Sequence, residues 1–254
     1  MLTPRVIPVL LISKRSLVKT RKFGKFDYVG DPCNTAKIFN ELEVDELIVL
    51  DIGASRYSSS INYDLLKDMA SECFMPLAYG GGIKSIEDAE RLFRLGVEKV
   101  SLNSSCIVNP DLIGGLARTF GSQAVIVSID VMRRTNGSRF VRGSLSVNNG
   151  GLDPVAWATE VAERGAGEIL LTCVEREGSW SGIDLELVSE VTSAVRIPVI
   201  AQGGVGSLDD VRRAIIEAKA TSVGVGSFFV YQKEGCGILV HYPSQDELKE
   251  LFVA

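Results

Sequence analysis

The chain contains one pattern twice. "DELIVLDIGAS", "NYDLLKDMA" and "MPLAYGGGIKSIEDAERL" return 122 positions later as "GEILLTCVERE", "IDLELVSEV" and "IPVIAQGGVGSLDDVRRA". Glu46 falls on Glu168, Gly81 and Gly82 on Gly203 and Gly204, and Ser85 on Ser207. Any fold for this chain must therefore accommodate two equivalent halves, about 1–122 and 123–254. Within each half, apolar β-branched runs alternate with amphipathic helical patterns. Strands are predicted at 5–12, 46–51, 76–79, 98–102, 124–130, 168–172, 197–201 and 222–226. Asp31-Pro32, Asn109-Pro110 and Asp153-Pro154 each set an N-cap before a proline at N1. "SQDELKELF" reads as a closing helix, with a capping box in Ser244 and Glu247. Eight βα units in 254 residues fit a single-domain α/β fold, one (β/α)8 TIM barrel with a two-fold internal half-barrel repeat. An open doubly wound sheet is the alternative, and it leaves the repeat unexplained.

The chemistry open to the chain is bounded by what it lacks. A net charge of −5 and a pI near 5.1 argue against nucleic acid or a membrane surface as partner. The longest apolar runs, such as 6–12, are strand-sized. No signal-peptide pattern opens the chain, so the default compartment is the cytoplasm. Cys33, Cys73, Cys106, Cys173 and Cys236 are scattered, with no CxxC pair, and His241 is the single histidine. That rules out a zinc constellation and a Ser-His or Cys-His dyad; free buried thiols, no metal and no cofactor are expected. Asn103-Ser104-Ser105 and Asn136-Gly137-Ser138 match the glycosylation pattern only by accident in such a compartment.

In a (β/α)8 barrel the ligand site lies where strands end and βα loops begin. Gly80 to Gly82 follow the third predicted strand, and the fourth ends in Asn103 and Ser104. The second half supplies Gly203 and Gly204 after strand seven and Gly226 and Ser227 after strand eight, with Gly178 in the loop after strand six. Backbone N–H groups, a hydroxyl and a helix N-terminus are the parts of a phosphate cradle. Two cradles across one mouth suit a phosphorylated small molecule with a phosphate at each end. On this reading the glycines make room for phosphate. At the other ends of the strands stand Arg5, Glu46, Lys99 and Glu168, two cations and two anions that could meet around the axis.

Nearly end to end, the chain resembles the cyclase subunit of imidazole glycerol phosphate synthase. "RVIPVLL", "LVKT", "GDP", "DELIVLD", "GGGIKSIEDA", "GVEKVSLN", "VSIDV", "RGAGEILLT", "SGIDLELV" and "IAQGGVGSLDD" carry the likeness. The related isomerase of the same pathway is the nearest alternative, and "RGAGEILLT" and "KVSLN" suit the cyclase better. The resemblance implies that Arg5, Glu46, Lys99 and Glu168 form a salt-bridge gate. Ammonia from a docked glutaminase, in a heterodimer, would enter there, with Glu98 on the docking face. It makes Lys19 a residue that approaches the substrate. Asp51 ends the second predicted strand and has two readings, a side chain aimed at the mouth or a strand-end cap.

One departure stands out. "AVIVSID" ends in Asp130, where a carboxylate can serve as general acid or base. "VIPVLLI" puts Leu11 in the matching place, where the family pairs a second aspartate with the first. Leucine cannot transfer a proton. Second copies of this barrel serve surface-polysaccharide (lipopolysaccharide) pathways, where barrel and glutaminase feed ammonia to a sugar amidotransferase that makes an acetamidino sugar. "PVLLI" and "GILVHYPSQDELKEL" resemble that subgroup. The residues leave three readings open: an ammonia-conducting barrel for sugar modification, a working histidine-pathway cyclase (a lyase), and a non-catalytic phosphate-binding scaffold.

Overall fold

The structure is a computed structural model and describes residues 4–56, 60–143 and 150–252. Its strands are β1 (Arg5–Ser13), β2 (Ser16–Thr20), β3 (Phe26–Gly30), β4 (Leu47–Asp51), β5 (Leu77–Gly80) and β6 (Lys99–Leu102), followed by β7 (Val125–Arg133), β8 (Arg139–Val141), β9 (Glu168–Cys173), β10 (Val199–Gln202) and β11 (Ser222–Val225). Its helices are α1 (Pro32–Glu41), α2 (Ile52–Arg56), α3 (Tyr63–Glu72), α4 (Ile86–Arg94), α5 (Ser104–Val108) and α6 (Asp111–Phe120), then α7 (Pro154–Glu163), α8 (Leu185–Ala194), α9 (Leu208–Ile216) and α10 (Gln245–Phe252). Hydrogen bonding runs β11-β10-β9-β7-β6-β5-β4-β1, all parallel, and closes where β1 pairs β11. This is a closed eight-stranded parallel barrel wrapped by helices, a single (β/α)8 barrel. All eight predicted strands are its staves, each within three residues of the predicted ends.

Three strands exceed the prediction. β2 and β3 form an antiparallel hairpin on the end of β1, with Leu11 opposite Val18, and β8 folds back on β7. All three extend loops at the strand-end face, where the chain rises beyond the barrel.

Two hydrophobic cores result. The larger lies between staves and helices. The smaller fills the bore with Ile7, Val9, Ile48, Ala78, Ile126, Leu170 and Ile200, against which Leu50 packs. Strand alternation separates them, because neighbouring side chains face opposite sides of the sheet. Along β1 the bore takes Arg5, Ile7, Val9 and Leu11.

The repeat is visible in local detail. Ser85 caps α4 and Ser207 caps α9, and in both a reciprocal capping box joins an aspartate at N3, Asp88 or Asp210. Gly81 and Gly203 have positive φ, +127° and +97°. A Cβ on Gly81 would lie 2.6 Å from the Asp51 carbonyl oxygen, and one on Gly203 would lie 2.7 Å from the Cys173 carbonyl oxygen. Asp51 and Cys173 are themselves repeat mates. The glycine turns thus make room for the backbone of the neighbouring strand end, a demand separate from any ligand.

Candidate functional site

The strand-start end carries a closed ring of ion pairs. Arg5 reaches Glu46 at 2.5 Å and Glu168 at 2.8 Å; Lys99 reaches Glu46 at 2.9 Å and Glu168 at 2.8 Å. Each cation touches both anions, and Arg5 Nε also donates to Ser222 Oγ at 3.1 Å. Both carboxylates are buried. Burial pushes the Glu168 carboxyl up, but hydrogen bonds and charge from Arg5 and Lys99 outweigh it and hold the group below its ordinary range. Above this ring the bore is apolar through Ile7, Ile48, Ala78, Ile126, Leu170 and Ile200.

Towards the strand ends one side of the bore becomes polar. Asp130 on β7 is buried and accepts from Asn103 Nδ2 at 2.8 Å. Burial pushes its carboxyl above the usual range; the Asn103 bond, the Arg142 charge and the Thr172 and Ser128 hydroxyls oppose the shift. The register fixes the identity of its counterpart. Asp130 pairs with Thr172 across β7 and β9, and Leu11 pairs with Leu50 across β1 and β4. Leu50 and Thr172 are repeat mates, so Leu11 occupies the place of Asp130 in the first half. It is buried, and it contributes no proton.

Lys19 lies on β2, whose hairpin folds over the mouth. It is buried, donates to the Val9 carbonyl at 2.7 Å, and sits 3.0 Å from where a Gly226 side chain would begin. Burial lowers its pKa to about 8, with the Glu177 charge acting in opposition. Arg142, not Lys19, is the cation whose charge acts on Asp130. Its backbone N–H donates to the Asp130 carbonyl at 2.7 Å.

Asp51 is spent on backbone: its Oδ1 accepts from Gly53 N at 2.8 Å and Ala54 N at 3.1 Å, at the start of α2. Alternation along β4 puts it on the side opposite Leu50, which faces the bore. The strand-end cap is the reading these bonds fit.

The two cradles differ from the expected form in one respect. In α4 and α9, which follow the Gly81-Gly82 and Gly203-Gly204 turns, the N3 amide and the amide of the cap residue are taken by the helix's own Ser-Asp capping box. Asn103 and Gly226, preceding Ser104 and Ser227, start their helical turns without a side-chain cap, as do Pro110 and Gly121 elsewhere in the chain. Asn103 and Gly226 share an unusual backbone, φ −139°, ψ −101° and φ −99°, ψ −94°. In the second half a small cleft is lined by Glu177, Gly178, Gln202, Gly203, Gly204, Gly226 and Ser227 among others. Gly178 also abuts the β2–β3 hairpin, since a Cβ there would lie 2.4 Å from the Thr20 carbonyl oxygen.

Two lining residues escaped sequence reasoning. Glu177 is buried and accepts from Thr20 Oγ1 at 2.9 Å and Phe23 N at 3.3 Å, pinning the hairpin that carries Lys19. Gln202 occupies the repeat position of Gly80, and that break in symmetry was the available signal.

Elsewhere, a wider cleft of about 290 Å³ lies beside β8 and the starts of α7 and α8. Its arginines, Arg133 and Arg139, are consumed by Asp184, Glu186 and Glu190. Burial pushes Cys106 up to about 12 and Cys73 and Cys173 to about 11, which suits inert thiols. Among the described residues no group of three or more His, Cys, Asp or Glu is placed to hold a metal ion, and no helix is long and apolar enough to cross a membrane.

A barrel of two repeated halves, ringed by ion pairs at one end and carrying glycine turns and a buried carboxylate at the other, is the class that fold and site define. The family model of histidine biosynthesis proteins matches residues 5–235. The chain is 45% identical over 248 residues to the imidazole glycerol phosphate synthase subunit named hisF2 in Pseudomonas aeruginosa, covering 98% of this chain and 99% of that one. To the subunit named hisF3 in Vibrio vulnificus it is 43% identical over 251 residues, 98% and 96% of the two chains. To the HisF subunit of Alkaliphilus metalliredigens it is 43% identical over 235 residues, 92% of each. The chain belongs to the HisF family of imidazole glycerol phosphate synthase subunits.

Proposed function

We propose that this barrel receives ammonia from a docked class I glutaminase, in a heterodimer, and passes it up the bore to the mouth. The ammonia serves acetamidino sugar formation in lipopolysaccharide biosynthesis, with a sugar amidotransferase as further partner, and the barrel's own cyclase chemistry is weak. One observation carries the reading. The ring of Arg5, Glu46, Lys99 and Glu168 is complete, whereas the register puts Leu11 where an acid would pair with Asp130. The parts suited to ammonia entry are kept, and one of two proton-transfer groups is gone.

The phosphate cradles at Gly81-Gly82 with Asn103-Ser104, and at Gly203-Gly204 with Gly226-Ser227 and Gly178, hold the phosphorylated substrate. Lys19 is the cation beside the second. A working cyclase is the second reading, favoured by a buried Asp130 whose raised carboxyl is suited to acid–base work. In that reading Ser13, a water or Asp51 Oδ2, the oxygen not bound to the α2 amides, takes the role of the missing acid. The complete ring speaks against a scaffold without ammonia.

Reversing charge at Glu98 and Lys99 together tests the entry route. Glutamine hydrolysis by the glutaminase should become uncoupled from ammonia use, with the barrel still folded. Binding and coupling that survive both reversals would show that the ring is not the gate.

A further inference from the structure

Most polar groups facing the upper bore have partners within the protein. Ser128 and Thr172 donate to Asp130, as does Asn103. Glu177 takes Thr20 and Phe23. Lys19 holds the Val9 carbonyl. Two do not: Ser101 Oγ on β6 and Gln202 Oε1 on β10 are both buried with no hydrogen-bond partner, and Gln202 is 8% exposed. Gln202, unlike Ser101, also lines the small cleft described above.

Leaving a buried amide oxygen unpaired is destabilising, and an apolar side chain of the same shape would avoid the loss. The other half of the repeat has Gly80 at this place, with no polar atom at all. Nothing in the barrel's construction thus calls for an acceptor here. The same residue lines the cleft formed by Gly178, Gly203, Gly204, Gly226 and Ser227.

We propose that Gln202 is a specificity residue: its Oε1 accepts a hydrogen bond from a hydroxyl group that a phosphate monoester carries close to its phosphoryl group. The proposal rests on the reading of this cleft as a phosphate cradle, and it names what the cleft selects beyond phosphate. A phosphate dianion has acceptors only, so it satisfies backbone amides and Lys19 but offers a glutamine carbonyl nothing. The donor must come from the organic part of the ligand. Because Gln202 immediately precedes Gly203-Gly204 in the chain, that donor lies within a few bonds of the phosphorus. A site built to hydrogen-bond a ligand hydroxyl rejects the analogue that lacks it, since the buried acceptor is then left unpaired.

Calorimetric titration of the full chain with three probes tests this: inorganic phosphate, sn-glycerol 3-phosphate and n-propyl phosphate. The wild type should bind sn-glycerol 3-phosphate about tenfold or more tightly than n-propyl phosphate. In Gln202→Met the ratio should fall to about one, because the two esters then meet the same apolar wall. Phosphate binding with no discrimination between the esters in the wild type overturns the role of Gln202 and leaves the cradle standing. A preference that persists in Gln202→Met overturns it as well. Failure of all three probes to bind the wild type removes the cradle and the proposal with it. If Gln202→Met does not fold, Gln202→Leu takes its place in the same comparison.

Discussion

Replacing Lys99 by methionine deletes two of the four ion pairs of the ring while keeping the length of the aliphatic stem. Glu46, whose side chain is only 2% exposed, loses its 2.9 Å partner and keeps Arg5 on the other oxygen. Glu168 loses a 2.8 Å contact and is left with Arg5 at 2.8 Å and 3.4 Å. Removing one member of a buried pair typically costs about 3–5 kcal/mol, because the surviving charge stays buried. Here Lys99 and Arg5 are 16% and 28% exposed and each carboxylate retains the arginine, so the low end applies, about 3 kcal/mol. For a domain of this size that is a fall in Tm of about 6–12 °C. Urea and thermal unfolding at neutral pH measure it. The pH dependence has a definite sign. The Glu168 carboxyl is held below its ordinary 4.5, so its contribution is complete above that value and is lost as pH falls through the lower folded value. The gap between wild type and Lys99→Met should therefore narrow in acid. A loss under about 0.5 kcal/mol, or a gap that widens as pH falls, refutes the ring as a coupled structural unit. So does exact additivity with Glu168→Gln in a double-mutant cycle.

Three further outcomes follow from the geometry. Gly81→Ala and Gly203→Ala place a Cβ within 2.6–2.7 Å of a backbone oxygen at positive φ, so each should cost about 3 kcal/mol by thermal unfolding; either variant matching wild type would contradict the close approach. Asp130→Asn should stabilise the barrel at neutral pH and do so less at pH 4. A folded carboxyl raised by burial costs stability once ionised, and that penalty grows as pH rises from the unfolded to the folded value, so destabilisation at pH 7 would count against it. The Lys19 ammonium should titrate at about 8, measured by the pH dependence of its acylation rate; an ordinary midpoint of 10.5 would mean that the amine is not desolvated over the mouth.

The staves were legible because a parallel strand buried on both faces reads as a mainly apolar, β-branched run; Val6 to Ile12 is interrupted only by Pro8, and Val125 to Val131 only by Ser128 and Asp130. The hairpin β2–β3 was not, since Phe26, Asp27 and Tyr28 mix polar and exposed positions and its pairing depends on Glu177, far away in sequence. The ring was readable as four charged strand starts; that each cation touches both anions depends on barrel register, which no local pattern encodes. The Asp51 side chain had two readings in the sequence, and backbone N–H groups of α2 fit one of them. The glycine turns were found by their repetition, yet the reason visible in space is a neighbouring carbonyl oxygen. Gln202 could have been found by asking where the two halves disagree.

Steady-state turnover of the purified barrel with ammonium salts and the bisphosphate substrate of imidazole glycerol phosphate synthase tests the central claim most directly, for wild type and Leu11→Asp. One general acid–base group is typically worth about 10²–10⁴-fold in rate. The account predicts that the wild type is slower than an ordinary two-carboxylate cyclase by about that factor and that Leu11→Asp recovers a large part of it. Wild-type turnover equal to that of an ordinary cyclase would contradict it.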